Sequence, residues 1–159
     1  MMLSRIVLLL FATALIAFAQ DTPQTPPPPV SPASSPVGRW QTVDDVSGKP
    51  KSIVHIFEQN DKLFARIKEI LDPDPNNPKQ LCIHCEGDLK NKPEVGLRIM
   101  WDMKPDLNNQ WTGGKILDPH SGKTYRCIIS LEDNGKKLKV RGYLGFSLLG
   151  RTQYWTRLE

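Results

Sequence analysis

The segment Cys82-Ile83-His84-Cys85 is where this sequence comes nearest to offering chemistry. Two cysteines so close can form a disulfide, act as a redox thiol pair or hold a metal. A thioredoxin-like pair needs a helix N-terminus behind it, because the helix dipole lowers the thiol pKa. Here the pair runs into Glu86-Gly87-Asp88 and then Asn91-Lys92-Pro93, which reads as loop. Haem attachment needs histidine directly after the second cysteine, and Glu86 stands there. Zinc would find Cys82, His84 and Cys85 but no second ligand pair nearby. A structural disulfide ranks first, ahead of a labile redox pair and a metal site, and no metal or cofactor is expected. Cys127 is left over; by alternation it shares a face with Tyr125, Ile129 and Leu131, the pattern of a buried thiol.

Catalytic constellations are otherwise lacking. His55, His84 and His120 are scattered, and Asp72-Pro73-Asp74-Pro75 reads as loop, not as a carboxylate pair poised for acid–base work. An enzyme is the lesser reading. The residues best suited to contact a small ligand or a cell-envelope partner are Trp111, Arg141, Arg151 and Gln153, which combine a planar surface with polar donors. Each has a plain structural alternative, as a core ring or a solvated charge. Lys137, Lys139 and Arg141 form a one-sided basic stripe that could meet anionic glycolipid. Phe146, Leu148 and Leu149 make an apolar tip, expected to fold over a barrel mouth because exposed apolar patches are rare.

These residues must be positioned by one domain, since 159 residues of ordinary globular composition leave room for little more. The net charge of +4, from 21 basic and 17 acidic residues, rules out an obligate nucleic-acid binder by charge alone. Fourteen prolines and eleven glycines argue against a helical bundle. Turn chemistry recurs at close spacing, as in Asp44-Asp45-Val46-Ser47-Gly48 and Asp133-Asn134-Gly135, where Asn-Gly signals a tight hairpin. Between turns the chain alternates with period two. Leu63, Ala65 and Ile67 share one face; Leu97, Ile99, Trp101 and Met103 share another, against Arg98, Met100 and Asp102. Trp111 followed by Gly113-Gly114 suggests a bulged strand. Eight strands follow, at 37–43, 51–58, 62–71, 95–104, 109–117, 123–132, 136–144 and 150–158, with a possible helical turn at 76–81. The fold class is all-β, an antiparallel up-and-down barrel, which removes exposed edges; a β-sandwich is the alternative.

Ahead of the domain, residues 1–19 read as a signal peptide: a short basic head, an apolar run at 6–18, and Ala17-Phe18-Ala19 at the cleavage point. The run is short for a membrane span, which wants about twenty residues, so no span is expected after processing. No cysteine stands near the cleavage point to take a lipid. Residues 20–36 read as a tether, with seven prolines that favour extended backbone. The expected address is periplasmic or secreted, and the barrel is expected over 37–159.

Gly38-Arg39-Trp40, with Arg157 near the end, resembles the Gly-x-Trp start of lipocalin-like and avidin-like barrels. That resemblance implies a tryptophan plugging one end with an arginine over its ring. A longer set of motifs runs from Val37-Gly38-Arg39-Trp40 through Cys82-Ile83-His84-Cys85, Gly87-Asp88, Lys90-Asn91-Lys92-Pro93 and Gly96-Leu97. It continues with Trp111 to Pro119, Gly122-Lys123-Thr124-Tyr125, Arg141-Gly142-Tyr143, Gly150-Arg151-Thr152-Gln153 and Trp155. In this order they resemble the bacterial family called domain of unknown function 2147. The resemblance implies a small exported domain with a calycin-like barrel and no established activity.

Overall fold

The computed structural model describes residues 34–158 apart from Asp45; the signal-peptide and most of the tether readings lie outside the described residues. Eight strands form, β1 (Gly38–Val43), β2 (Pro50–Gln59), β3 (Lys62–Ile70), β4 (Arg98–Asp106), β5 (Gln110–Asp118), β6 (Lys123–Glu132), β7 (Lys137–Tyr143) and β8 (Gly150–Leu158). Each pairs antiparallel with the next, and β1 pairs with β8 through Arg39↔Leu158, Trp40↔Arg157 and Gln41↔Thr156. The sheet is therefore a closed barrel and not a sandwich. No helix among the described residues is long and apolar enough to cross a membrane. The helical turn expected at 76–81 is instead a pair of turns in which Gln80 adopts a left-handed φ of 48°. A three-residue 3₁₀ turn, Gly87–Leu89, follows the cysteine pair.

Alternation puts Leu63, Ala65 and Ile67 inside as expected, all buried. In β4 the period breaks. Met100 belongs with Arg98 and Asp102 by strict alternation, yet it is fully buried together with Met103. The register shifts on both sides of Met100 explain this, and Asp102 takes a left-handed φ of 61° between the two methionines. Asp102 itself points to Lys62, 2.8 Å away. The bulge expected near Gly113 is present: the β5–β6 register slips between Trp111 and Gly114, with Gly113 at φ 77°. Gly114 then lies so close to Trp101 and Met103 that a Cβ there would fall 2.5 Å from the Trp101 carbonyl oxygen. Asp133, Asn134 and Gly135 all adopt left-handed φ, giving a longer loop than a two-residue turn.

Trp40, Ile56, Met100, Met103, Ile129 and Leu138 are fully buried and fill the interior. An eight-strand barrel is just wide enough to be filled this way or to hold one small ligand. Here side chains take the space.

Candidate functional site

At the closed end, Trp40 Nε1 donates to the Pro36 carbonyl at 2.8 Å, and the Arg157 guanidinium lies 4.2 Å from the ring centroid. Arg157 also donates to the carbonyls of Gly135, Val37 and Ser35 at 2.6, 3.0 and 2.6 Å. Gly38 sits beneath it; a Cβ there would lie 3.0 Å from Arg157 Nη1. Gly38, Trp40 and Arg157 are thus brought together as one plug. The segment just before β1 is part of it, since two of its carbonyls take arginine protons. A cleft of about 240 Å³ opens beside the plug, lined by Trp111, Pro36, Leu63, Pro105, Glu58 and Asp61 with Ser34 and Ser35. It is smaller than the roughly 300–1,000 Å³ usual for drug-sized ligands.

The opposite, open end carries the cysteine pair. Cys82 and Cys85 are joined as a disulfide with Cα atoms 5.3 Å apart, and both are buried. Both thiols being taken, the zinc reading is set aside. The Cys82 amide donates to the Lys92 carbonyl and its own carbonyl accepts from Asn91, so the loop is knitted to itself. It rests on the β5–β6 hairpin: Cys82 Sγ lies 3.5 Å from the Pro119 carbonyl oxygen, and Gly122 touches His84 and Cys85 backbone. A small cleft of about 70 Å³ remains under it, lined in part by Lys51, Glu94, His84 and His120. Burial raises the Glu94 carboxyl pKa there, against the opposing pull of Lys51. Among the described residues no group of three or more His, Cys, Asp and Glu side chains is placed to hold a metal ion.

Cys127 is the free thiol, buried, with its pKa pushed up to about 12 by desolvation. The thiolate is the reactive form. Native protein at neutral pH should leave this thiol unlabelled by a disulfide-exchange reagent, and full labelling should appear only on unfolding.

The four predicted contact residues do not form one site. Trp111 pairs with Ile129, Ile129 with Val140, and Val140 with Gln153, so Trp111 and Gln153 share the inner face. Gln153 accepts from Trp155 Nε1 at 3.0 Å. Arg151 is two residues from Gln153, on the same face at the mouth, and is exposed. Arg141 lies on the outer face, next to buried Val140 and opposite Thr152. It grips the β7–β8 loop: Nε and Nη2 donate to the Ser147 carbonyl at 2.9 and 2.6 Å, and Nη2 also to Leu148 at 3.1 Å. Nη1 donates to Thr152 Oγ1 at 2.8 Å.

The loop that Arg141 holds does not fold over the mouth, contrary to expectation. Phe146, Leu148 and Leu149 are 82%, 89% and 75% exposed, and Leu144 60%. Glycines on both sides and the short reach of the loop leave these side chains no apolar surface to fall against. The neighbouring basic stripe is partly neutralised, by Lys137 to Asp133 at 3.7 Å and Lys139 to Glu132 at 3.8 Å. Sequence reasoning missed the arginine's role; its six-residue distance from an apolar loop was the available sign.

Among curated proteins none matches this chain. A solved structure described as a protein from the human pathogen Helicobacter pylori that belongs to the lipocalin family is similar in fold. The two are 24% identical over 79% of this chain and 84% of that one, with a TM-score of 0.68. The closed eight-strand ring and its plugged end agree with that likeness. The family described as uncharacterised proteins conserved in bacteria (DUF2147) matches residues 38–157, from the first barrel strand into the last, and the chain belongs to it.

Proposed function

We propose that this protein is an exported binding module of the cell envelope that docks on a lipid surface through the β7–β8 tip, its barrel serving as a solid support. The carrying observation is that four apolar side chains stand in solvent on a loop whose shape Arg141 fixes with bonds to two of its carbonyls. Large exposed apolar groups in a held loop mark an interaction surface. Export is supported by the leader at 1–19 and by the Cys82–Cys85 disulfide, since such bonds persist in oxidising compartments. The filled interior moves binding to the outside.

The test is cosedimentation of the mature chain with vesicles of phosphatidylethanolamine and phosphatidylglycerol. Wild type should pellet with the vesicles. Phe146→Ser with Leu148→Ser should bind at least tenfold more weakly, given about 1.5–3 kcal/mol for burying each side chain. Thermal stability should hardly move, because both side chains are exposed in the free protein. A wild-type protein that stays in the supernatant would sink the proposal.

A further inference from the structure

On the far side of the barrel from β6–β7, one row of side chains crosses four strands. Arg39 is directly opposite His55, His55 opposite Arg66, and Arg66 opposite Arg98. Their sequence neighbours Trp40, Val54, Ile56, Ala65 and Ile67 are buried inside, so the row faces outward. Strand spacing sets the charges about 4.8 Å apart.

We propose that this row binds a linear polyanion, an acidic polysaccharide bearing carboxylates on successive sugars. Like charges directly opposite one another destabilise a sheet. None of the three arginines has a carboxylate within ion-pair distance among the described residues. The arginines are nonetheless held in place. Phe57 and Phe64 stack with centroids 5.8 Å apart; Arg66 lies 5.9 Å from the Phe57 ring and Arg98 4.8 Å from the Phe64 ring. Guanidinium planes fixed on rings keep their N–H edges for a planar acceptor such as carboxylate. His55 lies in the field of Lys68 and Arg39, which together with burial lowers its pKa.

The occupant follows from this layout. Both rings are half-buried and already carry a guanidinium, which leaves little ring surface on which nucleic-acid bases could stack. A curved barrel wall meets a flat bilayer along a narrow line, whereas a flexible chain can follow all four strands. Regular cation spacing therefore suits a repeating polymer of carboxylates.

The experiment is calorimetric titration of the mature chain with polygalacturonate at low salt. Wild type should bind, and binding should weaken steeply as salt is added. Arg66→Gln with Arg98→Gln should bind about tenfold more weakly or worse. The same variant should melt no lower than wild type, because it relieves a like-charge pair, so lost binding will not reflect lost folding. The Phe146→Ser, Leu148→Ser protein should bind polygalacturonate as wild type does, which separates this site from the tip. The assignment is overturned if wild type ignores polygalacturonate, if the arginine variant binds it undiminished, or if the arginines matter only for oligodeoxynucleotides or anionic vesicles.

Discussion

Trp40→Ala should destabilise the barrel by about 3–5 kcal/mol, the range for removing a buried aromatic ring. The ring is fully buried and its Nε1 proton satisfies the Pro36 carbonyl, so both packing and a hydrogen bond go. Arg157→Ala should cost less, because much of its binding is to carbonyls near the end of the barrel that water can reach. The informative quantity is the double variant. If guanidinium and ring interact as their 4.2 Å separation implies, the two losses should fall short of additive by about 0.5–2 kcal/mol. Chemical unfolding followed by the remaining tryptophans measures all four corners. Strict additivity would mean that the arginine serves only the Ser35, Val37 and Gly135 carbonyls.

Gly122→Ala should cost about 2–4 kcal/mol, combining the strain of a left-handed side chain with a steric clash. A Cβ there would lie 1.9 Å from the His84 carbonyl oxygen and 2.9 Å from the Cys85 nitrogen, backbone atoms held by the disulfide loop. Gly48 provides the control. It has the same φ of 70° but nothing within 4 Å of a Cβ, so Gly48→Ala carries the conformational part alone. Hydrogen exchange should show faster exchange at the Cys82 and Asn91 amides in Gly122→Ala while the strands keep their protection. Equal effects of the two substitutions would show that the loop yields without cost.

The strands were readable because polar and apolar residues alternate cleanly along most of them, and the plug because Gly38, Trp40 and Arg157 stand at the two ends of the ring. Met100 misled because a bulge changes parity at a residue, Asp102, whose left-handed backbone has no distinct sequence mark. The apolar tip misled for a different reason: burial is favourable only where there is something to bury against, and no pattern in a short loop tells what lies within its reach. Arg141 looks like a solvated or ligand-facing charge until the chain is folded back upon it. The row from Arg39 to Arg98 was invisible, since it exists only through the register of four strands. Periodicity within a strand is local; register between strands is not.

The antiparallel meeting of first and last strands sends the chain in and out through one pole, where Arg157 clasps the incoming backbone at Ser35 and Val37. Whatever leads up to the domain is committed to that pole. The four connections of the other pole are free of this duty, so diversification of contact chemistry can proceed there without loosening the clasp that keeps the ring shut.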